Sequence, residues 1–285
     1  MTDRQDRELL PATTGRREVQ TLFRLFAYIF IASVMAFLVL PVIFIVWVAF
    51  FDSSFLTFPP PGYTLKWFAA AAETPVFLNG FITSIIVAAI SSTIAVVCGV
   101  MAAIVLVRHQ FPGRDLLNGL LLSPLIIPNI VLGVALYIFF IAITDAFAFD
   151  PISSNVGLIL AHSMLVMPWA VRLIAANLIG MDRSVEEAAR NLGASSRTAF
   201  FRVTLPLMRG GIVAAGLFSF IISFENLELS LLIVSPGRTT LPIAQMQYLE
   251  FNMDPTIAAV STIQIIVIAV LLLITDRFFK LSRIV

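Results

Sequence analysis

Glu225 and Glu228 stand three positions apart inside a long apolar run, Gly210–Val234, of a 285-residue chain. Read as one continuous helix, that spacing puts both carboxylates on one face. At 1.5 Å per residue counted from Gly210, they lie about 22 and 27 Å up the helix, in the outer half of a membrane. An ionisable group at such depth ordinarily faces a protein interior or a water-filled cavity. Two readings stand for Glu225. Together with Asn226 and Glu228 it lines a pathway and favours a cationic solute, or it pairs with Asn226 or a neighbouring helix; for Glu228 the alternative is an interfacial position. Other chemistry-bearing residues are sparse. His109 and His162 are too few and too scattered for a metal site. Cys98 is the only cysteine and sits in an apolar run, which leaves no internal disulfide and no thiolate metal site. HExxH and GxxxxGK[ST] are both absent, so zincin-type hydrolysis and P-loop binding of ATP are not expected of this chain. No cofactor is expected in it.

The second concentration of polarity is Glu187–Pro206, EAARNLGASSRTAFFRVTLP, set between two long apolar runs. Ser184-Val185-Glu186-Glu187 fits a capping box, in which the Ser184 hydroxyl and Glu187 carboxylate satisfy exposed helix donors. Ala188, Ala189 and Leu192 continue a short helix, and Gly193 can take the left-handed conformation that ends it. Ser195 or Ser196 can cap a second short helix carrying Phe200, Phe201 and Val203, and Pro206 marks the turn back towards the membrane. Exposed Phe200 and Phe201 beside arginines read as a docking surface. The plainer alternative is a solvated loop between spans.

The elements that must hold these residues follow from composition. The chain is 59% hydrophobic and 12% charged, with mean hydropathy +0.99. A soluble domain carries about 25% charged residues. Six apolar runs, Leu25–Phe51, Phe81–Val107, Leu116–Ile143, Val156–Ile179, Gly210–Val234 and Thr256–Thr275, each reach the roughly 20 residues needed to cross about 30 Å of hydrocarbon. The expected fold is an all-α membrane protein of six transmembrane helices embedded in lipid. Pro41, Pro124, Pro128 and Pro168 fall within runs and are tolerated where neighbouring helices satisfy the freed carbonyls. Pro124 and Pro128 predict a kink. Net charge of +1 gives no reason to expect nucleic acid.

Basic residues set the expected orientation. All of the 18 Lys and Arg except Lys66, Arg172 and Arg238 fall on one side of this six-span plan, which makes both termini and the Glu187 loop cytoplasmic. Arg172 is expected to snorkel to that interface, the alternative being a gating ion pair. His162, Asn129 and Gln264 are expected to hydrogen-bond between helices. The chain divides into a cytoplasmic tail at 1–24, a first helix at 25–51 read as an uncleaved anchor, and a periplasmic loop at 52–79. A five-helix core at 80–275 contains a cytoplasmic loop at 181–208, and a cytoplasmic end follows at 276–285. Tyr63–Phe68 in the first outer loop suits an interfacial segment.

The spacing EAA-x3-G-x9-V-x-LP, on a cytoplasmic loop before the penultimate span, closely resembles the EAA loop of binding-protein-dependent ABC importer permeases. Val203 stands where the family usually has Ile. The resemblance covers about Phe81 to Ile274, with Asp182-Arg183-Ser184 and Leu241-Pro242 included. Ser223-Phe224-Glu225-Asn226 and Thr239-Thr240-Leu241-Pro242 look most like the spermidine/putrescine-type permeases. The resemblance implies a type I importer permease fold in a bacterial inner membrane. It implies a second permease, a different chain rather than a second copy by the subgroup likeness, and two ATPase subunits that bind ATP and Mg. A periplasmic solute-binding protein completes the set. On this scheme Glu187, Ala188, Ala189, Arg190, Gly193, Phe200, Leu205 and Pro206 form the ATPase-coupling loop, and the chain is a transport subunit rather than an enzyme. A polyamine or other amine-bearing cation is the expected cargo, with ferric iron, phosphonate or an organic anion as alternatives. An ion-coupled secondary transporter and an intramembrane enzyme are the rival readings; the first leaves the loop unexplained, and the second finds neither HExxH nor a cytoplasmic acid cluster of the transferase kind.

Overall fold

The structure, a computed structural model, describes residues 12–279 except Leu56 and Pro236. Arg4, Arg7, Lys280 and Arg283, which enter the charge argument, lie outside the described residues, as do the side chains of Arg16 and Arg17. Among the described residues regular structure is helical. The long elements are α1 (Ala12–Val48), α3 (Pro75–Arg108), α5 (Asn129–Phe147), α6 (Asn155–Ile179), α10 (Arg209–Phe224) and α13 (Thr256–Phe279). Between them lie α2 (Lys66–Glu73), α4 (Arg114–Leu122), α7 (Ser184–Asn191), α8 (Ser196–Ala199), α9 (Leu205–Leu207), α11 (Glu228–Ile233) and α12 (Leu241–Phe251).

Five stretches are long and apolar enough to cross a membrane alone: Leu22–Val48, Pro75–Arg108, Asn129–Phe147, Asn155–Ile179 and Thr256–Arg277. A bent pair, Ser196–Leu207 and Arg209–Phe224, at 62° to each other, is the sixth candidate crossing among the described residues. Pro41 and Pro168 sit inside continuous helices.

Two expected spans differ from the sequence reading. Leu116–Ile143 is broken, not kinked. The chain passes from α4 through a single 3-10 turn, Ser123–Leu125, and restarts at Asn129. Pro124 and Pro128 each lack an N–H, so two carbonyls one turn apart lose their helical donors together. Gly210–Val234 is broken as well. The α10 helix stops at Phe224, Glu225 forms its C-terminal cap, and α11 starts at Glu228. Glu225 and Glu228 therefore do not share one helical face.

The core lies where α3, α6 and α10 meet, with α11 closing one side. Ala95 and Ala103 of α3, Ala161 and Ala170 of α6 and Ala215 of α10 are all buried there. Lipid tails are as apolar as leucine, so helices in a bilayer gain by close backbone approach, which small residues permit. The Ser91 hydroxyl donates to the Ile159 carbonyl at 2.9 Å and ties α3 to α6. In contrast, no residue in the most apolar window of α1 is buried, and its end packs against α13.

The bundle has two distinct ends. At one, α2 and α12 pack against α3 and α13. Trp67 Nε1 donates to the Phe51 carbonyl at 2.6 Å, and Lys66 Nζ pairs with Asp52 at 2.7 Å. The α2 helix begins at Lys66, inside the Tyr63–Phe68 stretch. At the other end are the Arg108 terminus of α3 and the whole of α7 to α9.

Candidate functional site

The α7 end is built outward from Asp182. Its Oδ1 accepts the Ser184 N–H at 2.9 Å, and that backbone bond, followed by one from the Ser184 side chain, holds the Asp182 carboxyl below its ordinary range. Ser184 is the first helical residue, so the expected Ser184/Glu187 capping box does not form. Asp182 serves the helix start instead, because an ionised acceptor binds an amide more strongly than a hydroxyl does. Glu186 and Glu187 occupy the first turn and Arg190 the last, each sign complementing the helix dipole.

Gly193 ends α7 as expected. Its φ is +91°, the Ala194 N–H reaches the Ala189 carbonyl at 3.1 Å, and its own N–H reaches the Arg190 carbonyl at 2.9 Å. Those two bonds make a Schellman motif, which needs a left-handed residue at this position. Ser195, not Ser196, then caps α8 by accepting the Thr198 N–H at 3.2 Å. A π-helical turn, Phe200–Thr204, leads into α9, and the direction changes at buried Met208 rather than at Pro206.

The loop is exposed in a pattern. Glu187, Ala188, Arg190, Gly193 and Pro206 are exposed, while Ala189, Phe200 and Leu205 are half-buried. Phe200 is thus less open than its sequence position implies; its ring meets Phe201 edge-on at 4.9 Å, and Phe201 carries the exposure. Sequence reasoning passed over Val185 and Leu192 as site residues. With Ala188 between them they form an i, i+3, i+7 stripe, and Leu192 is 90% exposed. The signal was present in that spacing. The stripe is left bare on an otherwise polar loop.

Behind α7 lies a polar cleft of about 260 Å³ lined by Arg108, His109, Arg183, Glu186, Glu187 and Arg190. Arg183 Nη2 donates to the Arg108 carbonyl at 3.0 Å, and Arg108 Nη2 stands 3.9 Å from Glu186 Oε2.

The second candidate region is the break after α10. The side chains of Glu225 and Glu228 are exposed and Asn226 is half-buried. Asn226 does not pair with Glu225. Its Oδ1 accepts the Leu229 N–H at 3.0 Å and starts α11. His162, buried in α6, bridges the break: Nδ1 is 2.8 Å from Ser223 Oγ and Nε2 is 3.0 Å from Ser230 Oγ. The Ser230 hydroxyl donates to the Asn226 carbonyl at 2.7 Å, so it accepts from Nε2–H, and Nδ1 accepts from Ser223. The expected interhelical role of His162 is therefore seen. Gln264 likewise accepts from Gln245 Nε2 at 3.2 Å, joining α13 to α12. Asn129 opens α5 and shows no such interhelical bond, and Arg172 is exposed near the α7 end of α6. Among the described residues no three His, Cys, Asp or Glu side chains converge to hold a metal.

A wider polar cleft of about 700 Å³ opens at the α2 end, lined by Asn79, Thr83, Asn155, Arg238, Thr239 and Gln247. Arg238 Nη1 donates to Asn155 Oδ1 at 2.8 Å across it. The two polar clefts thus lie at opposite ends of the bundle.

Residues 95–283 match the family of the binding-protein-dependent transport system inner membrane component. The chain is 29% identical over 214 residues to the putrescine transport system permease protein PotI of Escherichia coli (strain K12), covering 75% of this chain and 76% of PotI. It is 34% identical over 196 residues to the molybdenum transport system permease protein ModB of the same organism, covering 65% of this chain and 86% of ModB. Among solved structures, a chain of the bacterial alginate ABC transporter in complex with an alginate pentasaccharide-bound periplasmic protein superposes with a TM-score of 0.68 at 13% identity. That match covers 93% of this chain and 98% of the other, and it is a likeness of fold. The family match takes in the C-terminal part of α3, from residue 95, and α4 to α13 whole, which hold both candidate regions, and the chain belongs to the inner-membrane permease subunits of binding-protein-dependent ABC importers.

Proposed function

We propose that this permease forms one half of a translocation pathway and is driven through α7 by an ATPase subunit bound at the α7 end. The observation that carries the reading is the bare Val185–Ala188–Leu192 stripe on a helix stopped by a Schellman turn at Gly193. A rigid, exposed, amphipathic helix outside the bundle is the kind of element that seats in a groove on another protein. The α7 end is cytoplasmic on this reading, in keeping with Arg108, Arg114, Arg183, Arg190, Arg197, Arg202 and Arg209 gathered there. Two ATPase subunits bind ATP and Mg outside this chain, a second and different permease completes the pathway, and a solute-binding protein docks at the α2 end.

The cargo on this reading is a polyamine or another amine-bearing cation. Glu225 and Glu228 are the acidic side chains exposed at the break, and PotI, a putrescine permease by name, aligns along three quarters of the chain. A second reading, an oxyanion, is favoured by the ModB identity and by Arg238 at the wider cleft. The ligand carried by the co-purifying solute-binding protein separates them: a polyamine supports the first, and an oxyanion sinks it. For the coupling role, Glu187→Lys and Gly193→Asp are expected to insert normally yet abolish uptake. Wild-type uptake and wild-type coupling of ATP hydrolysis in both variants would refute it.

A further inference from the structure

The α3 helix runs the whole height of the molecule. Its 34 residues hold no proline beyond Pro75 in the first turn, so at 1.5 Å per residue it is an unbroken rod about 51 Å long. At the α7 end its terminal residue is gripped twice. Arg183, which caps α7, donates to the Arg108 carbonyl, and Glu186 of α7 faces the Arg108 guanidinium. At the α2 end the rod is engaged again. The Ser84 hydroxyl accepts the Leu241 N–H at 2.9 Å, and Gly80 lies so close that a Cβ there would stand 3.0 Å from the Thr240 carbonyl carbon. The Phe81 ring meets Phe224 edge-on at 5.9 Å, one residue before Glu225.

The grip at Arg108 is loose in this structure. The Arg108 side chain is 13% exposed, and its Nε and Nη2 are buried with no hydrogen-bond partner among the described residues. Glu186 Oε2, at 3.9 Å, is beyond hydrogen-bonding distance. A charge-assisted bond of this type closes at about 2.8 Å. A shift of α7 towards α3 of roughly 1 Å would close it. Of the other charged groups around the cleft, Glu187 is exposed, and Arg183 and Arg190 carry the same sign as Arg108.

We infer that α3 is the rod that carries movement of α7 across the membrane. Glu186 closes on Arg108 at one end, and the Ser84–Leu241 and Phe81–Phe224 contacts move the α12 turn and the Glu225 break at the other. Glu186 and Arg108 are positioning residues of the transport cycle. This rests on the reading of α7 as the ATPase contact. It adds a residue pair to the loop that local sequence does not join.

The test uses the whole transporter, with partner permease, ATPase subunits and loaded binding protein, in proteoliposomes. Arg108→Met, Glu186→Gln and the exchange Arg108→Glu/Glu186→Arg are compared by ATPase retention on purification, by ATP hydrolysis and by solute uptake. The expected result is that Glu186→Gln and Arg108→Met keep the ATPase bound while solute moved per ATP falls about tenfold, with partial recovery in the exchange. Where Arg108→Met does not assemble, Glu186→Gln decides, since its side chain is one-third exposed and the change is isosteric. Unchanged solute per ATP in Glu186→Gln overturns the inference. Loss of ATPase from Glu186→Gln also overturns it, by placing Glu186 in the docking surface. Failure of the unaltered permease to retain any ATPase overturns the α7 reading, and this inference with it.

Discussion

His162 Nε2 and Ser230 Oγ lie 3.0 Å apart, and that bond joins α6 to the helix that restarts beyond the Glu225 break. Its other nitrogen holds Ser223, the residue before the last of α10, so one buried imidazole fixes both lips of the break. Replacement by Leu keeps the bulk and leaves two buried hydroxyls without this partner. The expected loss is about 1–3 kcal/mol. Thermal unfolding in detergent checks the stability, and uptake should fall with it because Glu225 loses its fixed position. His162→Gln, which can donate and accept, is expected to recover part of both.

The α7 surface makes a contrasting prediction. Val185 and Leu192 contribute little to the fold because they are exposed, so Val185→Glu and Leu192→Glu should change stability by no more than about 0.5 kcal/mol. Both should nevertheless release the ATPase. Affinity purification of the permease variant, scored for retained ATPase, is the measurement. Full retention in Leu192→Glu would remove the stripe from the docking surface.

The start of α7 carries a pH dependence. The Asp182 carboxyl titrates below its unfolded value because its ionised form accepts the Ser184 N–H. A depressed carboxyl stabilises the fold above its unfolded pKa and loses that contribution as pH falls through the lowered folded value. Protection of the Ser184 amide from hydrogen exchange should therefore be full at neutral pH and fade in acid. In Asp182→Asn the difference between neutral and acid should vanish. Equal protection in both proteins across the range would show that the carboxylate charge is not what holds the helix start.

Much of this arrangement is legible in the sequence where local chemistry decides. The Gly193 stop and a serine cap at 195 or 196 follow from residue type, and four of the six apolar runs appear as unbroken helices. The two broken runs mark where composition is insufficient. Hydropathy averages over Pro124 and Pro128, and over Glu225 and Asn226, although two missing donors or one competing amide end a helix. The Arg108–Glu186 pair and the His162 bridge were beyond local reading for another reason. Their partners are remote in sequence and meet because α3, α6 and α10 pack together.

On the proposed reading, the acidic residues at the break select the cargo. Glu225 caps the end of α10 and Glu228 opens α11, and both side chains are exposed at a point where the chain leaves regular helix. Carboxylates at membrane depth are retained where they face water or a charged partner. For a cationic solute, Glu225→Gln removes one attractive charge and should raise the concentration needed for half-maximal uptake about tenfold, with a smaller effect from Glu228→Gln. For an oxyanion the sign reverses, since removal of a repelling charge would ease passage. Uptake of labelled putrescine and of molybdate, each measured in the unaltered permease and in Glu225→Gln, separates the two. Asn226→Ala serves as the control, because it should cost about 1 kcal/mol of stability by uncapping α11 without a change of charge. If Asn226→Ala and Glu225→Gln impair putrescine uptake equally and leave half-saturation unchanged, the break acts as a hinge and its charge has no part in selecting the solute.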